Sequence, residues 1–203
     1  YGYASLHASF QRRDSLLTSD MGVFLGIMNT DFAMLRNGEE SVYAATGSTI
    51  SIASGRLSYV LGIQGPCISY DTACSSALVA MHGASCTETS LALTLAVSLM
   101  LAPLTHNLYA RAGMISSDGR CKTFDAVANG YARGEGIGSA TLTQGTSGIS
   151  LFGSCTVRSD GKSASLTAPS GRAQALLISA AKGAAGVKNV GFVEAHGTGT
   201  PLG

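Results

Sequence analysis

Residues 69–80, "SYDTACSSALVA", place a thiol where an apolar strand pattern gives way to a helical one. The free N–H groups of a helix's first turn carry partial positive charge, which favours thiolate, the nucleophilic form of cysteine. Cys74 is therefore a candidate nucleophile on a strand–turn–helix arrangement, with its own N–H available to an oxyanion. On this feature alone, a buried cysteine that only fills space in a small-residue helix is the commoner alternative.

A second candidate is the histidine of "VEAHGTGTPLG" (193–203). A predicted strand ends at His196, and the Gly- and Thr-rich loop that follows can bring hydroxyls and flexible backbone to a substrate. A histidine that only satisfies hydrogen bonds of its loop fits this feature equally well. A cysteine and a histidine together favour thiol chemistry, with the histidine as base or as oxyanion donor.

The other histidines and cysteines are predicted to be structural. His82 is predicted to be a satisfied core histidine, and His7 and His106 to be structural or exposed. The cysteines predicted to pack in the interior, without an adjacent base, are Cys67, Cys86, Cys121 and Cys155. Asp71 and Glu194 each precede a candidate catalytic residue, where a supporting role and a capping role remain open.

The composition limits the function classes. The chain has 203 residues, 45% apolar and 12% charged, and a net charge of +1. It can bury a core, and its charge implies no general attraction to nucleic acid or to a membrane. The five cysteines lack zinc-like spacing, so we expect no metal site and free thiols in a reducing compartment. The apolar segment 91–104 is too short to span a bilayer.

Strand and helix patterns alternate along the chain, which predicts an α/β fold. The predicted strands are 21–28, 65–71, 91–101, 136–144, 149–160 and 189–195, with 136–144 paired to 149–160 across a "GTSG" turn. The predicted helices are 46–62, 73–85, 105–113 and 171–185. The Gly-, Asp-, Arg- and Lys-rich segment 111–136 is predicted to be an ordered loop with salt bridges.

Five segments then occur in order: DTACSSALVAMH, RAGMISSDGRCKTFDA, GYARGEG, LTAPSGRAQ and VEAHGTGTPLG. Together they resemble the β-ketoacyl synthase (ketosynthase) domain of modular polyketide synthases, with a dinoflagellate-like character at 26–32 and 45–67. The resemblance implies a thiolase-like fold, layered α-β-α-β-α, with two similar halves. On it, 1–203 is a partial domain in which about 1–145 is the half with the nucleophile and about 146–203 begins the other.

The resemblance also implies the reaction, a decarboxylative Claisen condensation. Cys74 matches the cysteine that accepts the acyl chain, and His196 matches the first of two family histidines, which stabilises the enolate. Thr198 and Thr200 match threonines that contact the phosphopantetheine arm. The implied partners are an acyl carrier protein with acyl and malonyl thioesters, and a second copy in a homodimer. The chain itself is expected to bind no cofactor.

The sequence departs from the family pattern at several places. Leu95-Ala96-Val97-Ser98 replaces a usual Gly-Gly-Val-Asn, Arg158-Ser159 replaces Asn-Gln, and Asn129 replaces an aspartate. The family's second histidine, a lysine before it and a Gly-rich oxyanion segment would lie beyond position 203. We therefore expect the full domain to be active and this piece alone to be inactive.

Three alternatives remain open. A non-catalytic scaffold would lack a working acyl pocket, and a thiolase would need a second catalytic cysteine downstream. A malonyl decarboxylase variant carries glutamine in place of the cysteine, which Cys74 argues against. The chain begins at Tyr1 without a methionine, so we expect targeting signals to lie outside it and the protein to be intracellular, in cytoplasm or plastid.

Overall fold

Apolar residues at alternating strand positions build one four-stranded mixed sheet. The computed structural model describes residues 1–28, 31–35, 41–145 and 148–200. The strands in them are β1 (Gly22–Ile27), β2 (Cys67–Tyr70), β3 (Leu91–Ser98) and β4 (Gly136–Thr143). Their order is β2-β1-β3-β4, with β1 parallel to β2 and β3 and with β4 antiparallel to β3.

Helices alternate with these strands, which confirms the predicted α/β class. They are α1 (Gly2–Ala8), α2 (Arg13–Leu16), α3 (Asp31–Leu35), α4 (Ala44–Gly47), α5 (Ile50–Leu61), α6 (Ser76–Ser85), α7 (Pro103–Arg111) and α8 (Gly171–Ala184). Helices α5, α6 and α8 fall within their predicted windows, and α7 overlaps its window of 105–113 but begins two residues earlier, at Pro103. The four short helices before them carry too little periodicity to have been predicted.

The chain divides into two units. The first unit comprises Tyr1–Ala102 and Glu135–Leu151 and contains the whole sheet. The second unit comprises Pro103–Gly134 and Phe152–Gly203 and contains α7, α8 and the loop between α7 and β4 up to Gly134. Cys74 belongs to the first unit and His196 to the second.

The two faces of the sheet bury two different clusters. Because successive strand residues point to opposite faces, β1 and β3 each supply side chains to both clusters. One cluster joins Val23, Leu25, Leu93 and Leu95 to Leu6 of α1 and Leu61 of α5. The other joins Phe24 and Ala92 to Ala80 and Ala84 of α6. Burying each large apolar side chain stabilises the fold by about 1.5–3 kcal/mol, so the helices on both faces fix the sheet.

Two predicted helices begin later than their sequence patterns. Helix α5 begins at Ile50 because its N-cap Thr49 is still extended, with φ −85° and ψ 123°, and it ends at Gly62 in the left-handed conformation. Helix α6 begins at Ser76, since Ala73 at φ 56° interrupts the right-handed path. Cys74 therefore precedes the helix and lies in the turn before it.

Two strand predictions are wrong. Residues 149–160 form no strand where the structure describes them, and β4 pairs instead with β3, from Leu91 opposite Thr143 to Ser98 opposite Gly136. Residues 189–195 are exposed and form no strand either. A strand needs a neighbour to accept its backbone hydrogen bonds, and in the described part of the second unit neither segment has one. The predicted turn at 145–148 includes positions outside the described residues.

The long apolar segment 91–104 is divided between a strand and a helix start. It forms β3 and leads to the first residues of α7. Among the residues that the structure describes, no helix is both long and apolar enough to cross a membrane.

Gly26 sets how closely α6 approaches the sheet. A methyl group on Gly26 would lie 2.5 Å from the carbonyl carbon of Ser76 and 2.6 Å from the backbone nitrogen of Ala77. Gly26→Ala is therefore expected to lower the free energy of unfolding by about 1–3 kcal/mol, because backbone must shift to accept it. Denaturant unfolding measures the loss. Gly138→Ala in β4 is the control, since its methyl group would meet open space; equal effects of the two changes would contradict the prediction.

Candidate active site

The thiol of Cys74 is presented on a tight turn between β2 and α6. Its side chain is exposed, so the alternative of a buried space-filling cysteine is wrong. The residue before it, Ala73, adopts φ 56°, a left-handed conformation that costs a non-glycine residue about 1–2 kcal/mol. Backbone in such a conformation persists only where surrounding contacts hold it. The conformation of the turn that carries Cys74 is thus maintained by contacts with its surroundings.

The side chains of Asp71, before the turn, and Ser75, after it, both bond to the backbone of the turn. A carboxylate oxygen of Asp71, Oδ1, accepts a hydrogen bond from the N–H of Ala73 at 3.1 Å, which forms an Asx turn. The hydroxyl of Ser75 donates to the carbonyl of Thr72 at 2.8 Å. The supporting role considered for Asp71 is therefore present in the structure.

The candidate histidine lies in an exposed loop of the second unit. His196 is exposed, while Thr198 and Thr200 are half-buried and their Oγ1 atoms lie 3.2 Å apart. Gly197 and Gly199 adopt φ 52° and 64°, the left-handed region that glycine enters without strain. This alternation of glycine and threonine lets the loop fold back sharply while it keeps two hydroxyls together.

The histidine loop is anchored to residues 122–130 by two hydrogen bonds. The hydroxyl of Thr123 donates to the carbonyl of Gly197 at 2.6 Å. The N–H of Gly130 donates to the carbonyl of Gly199 at 2.9 Å. The Gly- and Asp-rich loop of the second unit thus positions the residues on both sides of Thr198.

A polar cluster holds that anchoring loop in shape. The buried hydroxyl of Ser116 donates to Asp118 and lies 2.8 Å from the Oδ1 atom of Asn129, whose Nδ2 donates to Asp118 at 3.3 Å. The Lys122 ammonium, 2.5 Å from Asp118, and the Ser116 hydroxyl hold the pKa of Asp118 below its ordinary value of 3.8. Ionised Asp118 therefore stabilises the loop, and this contribution is lost as the pH falls below 3.8. The ordered loop with a salt bridge is confirmed.

The positions that depart from the family pattern have ordinary places. Leu95–Ser98 forms the end of β3, and Ala96 pairs with Gly26. Asn129 uses its amide to donate and to accept, which an aspartate could not do, so it fits beside the carboxylate of Asp118. Arg158 and Ser159 lie in an exposed segment without regular structure.

The packing prediction for the other cysteines is largely wrong. Cys67, Cys86 and Cys121 are exposed, and only Cys155 is half-buried. Cys86 also has an adjacent base, since its Sγ lies 3.7 Å from Nε2 of His82. The spacing of four residues on one helix is the sequence signal that could have found this pair. Burial raises the pKa of the Tyr70 hydroxyl, and the nearby charge of Cys86 raises it further.

Thr123→Val is expected to slow the chemistry predicted for His196. It removes one hydrogen bond of about 0.5–1.5 kcal/mol, which corresponds to roughly two- to tenfold in rate. Turnover is measured in the full-length protein, and Thr123→Ser, which keeps the hydroxyl, should retain most of it. Unchanged turnover in Thr123→Val, or an equal loss in Thr123→Ser, would contradict the anchoring role.

Family models cover nearly the whole chain. The model described as "Beta-ketoacyl synthase, N-terminal domain" matches residues 4–147. The model described as "Beta-ketoacyl synthase, C-terminal domain" matches residues 150–203.

Curated relatives and solved structures agree with these models. The phenolphthiocerol synthesis polyketide synthase type I Pks15/1 of Mycobacterium bovis is 43% identical over 202 residues, which cover 93% of this chain and 10% of that protein. The hybrid PKS-NRPS synthetase pydA of an Acremonium species is 37% identical over 221 residues, which cover 99% of this chain and 5% of that protein.

Two solved ketosynthases superpose on nearly all of the chain. The ketosynthase from module 6 of the bacillaene synthase of Bacillus subtilis 168 gives a TM-score of 0.86 at 34% identity, and covers 98% of this chain and 37% of that one. The oxazolomycin ketosynthase domain OzmH KS7 of Streptomyces albus JA3453 gives 0.88 at 32% identity, with 98% and 38% covered.

These findings define the class of protein and then the family. The fold is thiolase-like α/β, as predicted. The chain belongs to the β-ketoacyl synthase family. It spans about a tenth or less of the length of the curated relatives named here and a little over a third of the solved ketosynthase chains.

Proposed function

We propose that the chain is the part of a ketosynthase that carries the nucleophile of a decarboxylative Claisen condensation, in polyketide or fatty acid synthesis. The observation that carries the proposal is the exposed thiol of Cys74, which lies on a turn between a strand and a helix whose left-handed backbone is stabilised by hydrogen bonds. The chain that carries this thiol belongs to the β-ketoacyl synthase family. The relatives described above, which are polyketide synthases and ketosynthases, support the substrate class.

In the first step Cys74 accepts an acyl group. Its thiolate attacks the carbonyl carbon of an acyl thioester, and the new Cys74–S–acyl bond forms as the bond to the carrier's phosphopantetheine sulfur breaks. The phosphopantetheine thiolate leaves and takes up a proton. The exposed position of Cys74 on the turn before α6 leaves its sulfur open to the incoming thioester.

In the second step the acyl group is extended. A malonyl thioester on an acyl carrier protein loses CO2, and its enolate carbon attacks the Cys74 thioester. A β-ketoacyl thioester forms on the carrier, and the Cys74 thiolate is released. His196 donates a hydrogen bond to the malonyl thioester oxygen and stabilises the enolate charge, while Thr198 and Thr200 bind the phosphopantetheine arm. The 3.2 Å separation of the two threonine hydroxyls supports a shared contact.

A homodimer belongs to the same proposal. Strand β2 lies at one end of the sheet order, so among the described strands it pairs only with β1. An edge strand offers free N–H and C=O groups to a second chain, and Cys67 and Ile68 on it are exposed. Light scattering of the full-length protein tests this, and a monomer at assay concentration would contradict it.

The division into halves is also proposed. We place the end of the half with the nucleophile near residue 145 and the start of the other near residue 146. The two family models, which match up to residue 147 and from residue 150, support this boundary. The dinoflagellate-like character stays a prediction.

A reconstituted assay of the full-length protein tests the function. An acyl thioester and malonyl carrier protein should yield a β-ketoacyl thioester and an equal amount of CO2. Condensation of two acetyl thioesters without CO2 would indicate a thiolase, and CO2 without the condensed product would indicate a decarboxylase. No reaction with any of these substrates would favour a scaffold, and each of these three results would overturn the proposal.

A further inference from the structure

Ser76, the first residue of α6, uses its hydroxyl on the turn that carries Cys74. Its Oγ accepts a hydrogen bond from the N–H of Thr72 at 2.9 Å and donates one to the carbonyl of Ala73 at 2.7 Å. One side chain thus bridges the Asp71–Thr72 and Ala73–Cys74 peptide units, at the two ends of the turn before Cys74. The residue is only 4% exposed, so water does not compete freely for these bonds.

These bonds differ from ordinary helix capping. A capping serine accepts from N–H groups inside the helix, and the N-cap of α6, Ser75, makes no such side-chain bond. Both bonds of the Ser76 hydroxyl instead go backwards, to residues outside the helix. The hydroxyl therefore contributes to the shape of the turn more than to the start of α6.

The turn requires such support because of Ala73. Its φ of 56° is disfavoured for a residue with a Cβ atom. The bond from Ser76 to the Ala73 carbonyl and the bond from the Ala73 N–H to Asp71 hold the two sides of this residue. If the Ser76 bonds are lost, the local strain favours relaxation of Ala73 and movement of the next residue, Cys74.

The sheet fixes Ser76 itself. The backbone of Ser76 packs against Gly26 so closely that a methyl group there would lie 2.5 Å from its carbonyl carbon. Gly26 lies in β1 and pairs with Tyr70 of β2 and Ala96 of β3. The Ser76 hydroxyl is therefore held at a defined position relative to the central strand of the parallel set.

We infer that Ser76 is a positioning residue for Cys74: its buried hydroxyl holds the left-handed turn that presents the thiol to an acyl thioester. The inference rests on the proposed function for its catalytic consequence. The positioning itself is independent of that function and can be measured on the thiol alone.

The experiment compares three changes in the full-length protein. Ser76→Ala removes both hydrogen bonds, Ser76→Thr keeps a hydroxyl, and Ser85→Ala is the control, because the exposed Ser85 hydroxyl bonds only to the carbonyl of His82 at the far end of α6. Two quantities are measured. One is the rate of acylation of Cys74 at saturating and at low acyl thioester. The other is the ratio of iodoacetamide labelling of Cys74 to that of the exposed Cys121, read by peptide mass spectrometry.

The expected result is specific to Ser76→Ala. Acylation at saturating substrate should fall about tenfold with little change in KM, and the labelling ratio should fall at least about threefold, because the thiol is no longer held in its exposed position on the turn. Ser76→Thr should recover most of both losses, and Ser85→Ala should leave both unchanged. General destabilisation would change the labelling of both cysteines together and leave their ratio unaltered.

Other results separate this inference from the proposed function. If wild-type Cys74 is never acylated, the proposed function fails, and the labelling ratio alone still decides the role of Ser76. If wild type is acylated and Ser76→Ala shows an unchanged rate and an unchanged ratio, the positioning role is overturned. If the Ser76→Ala protein unfolds at the assay temperature, all variants are compared at a lower temperature. The Ser76→Thr protein is measured beside it and tests the same positioning role.

Discussion

Cys74→Ala is expected to abolish acyl transfer and chain extension in the full-length protein. Without the sulfur no acyl-enzyme can form, and loss of a nucleophile lowers turnover by at least about a thousandfold in enzymes that depend on one. Intact-protein mass spectrometry after incubation with an acyl thioester should show the added acyl mass in wild type only. Condensation product, measured in parallel, should disappear with it. Because residue 74 is exposed, this change should leave the fold intact, which circular dichroism checks.

Cys67→Ala is the matched control for this change. Cys67 is also exposed and is the first residue of β2, the strand that precedes the turn of Cys74, and its removal changes the number of thiols equally. Acyl mass and product should stay at wild-type levels. Chain extension by the Cys74→Ala protein, or loss of acylation in Cys67→Ala alone, would place the nucleophile elsewhere.

His196→Ala is expected to separate the two steps of the reaction. Removal of a hydrogen-bond donor to developing negative charge typically costs about a hundred- to a thousandfold. Condensation with malonyl carrier protein should fall by that factor, because His196 acts on the enolate. Acylation of Cys74 should stay within about twofold of wild type. Quenched-flow measurement of acyl-enzyme and of CO2 release resolves the steps.

His106→Ala is the control in the same unit, since His106 is exposed on α7 and forms no part of the histidine loop. Both steps should proceed at wild-type rates in that variant. If His196→Ala lowers acylation and condensation by the same factor, then His196 activates Cys74 and does not serve the enolate.

Sequence patterns predict the central strands of the sheet well because most residues of β1 and β3 are buried on both faces. Runs such as 21–28 and 91–98 are apolar at nearly every position, which only a covered strand explains. The pattern fails at 149–160 and 189–195, since an apolar run becomes a strand only beside a partner. Periodicity along one segment contains no information about its neighbours.

The sequence predicts the candidate catalytic residues of the site, but it does not predict the residues that hold them in position. Cys74 and His196 are identifiable from residue type, flanking pattern and family motif, and their roles stay predictions until tested. Gly26 and Thr123 could not be found in this way, because each supports a residue about 50 or more positions away along the chain. The sequence does not predict the turn at Ala73 either, because the helical pattern continues through this position and no glycine marks the left-handed residue.

The exposed thiols described above determine how a purified sample ages. Cys67, Cys74, Cys86 and Cys121 all meet solvent, and none is paired in a disulfide. In air-saturated buffer such thiols oxidise and join chains to one another, so covalent aggregates and lost acyl-acceptor capacity should accumulate while the fold is still intact. Storage under a reductant that is removed just before use would keep the count of reactive sites constant from one preparation to the next.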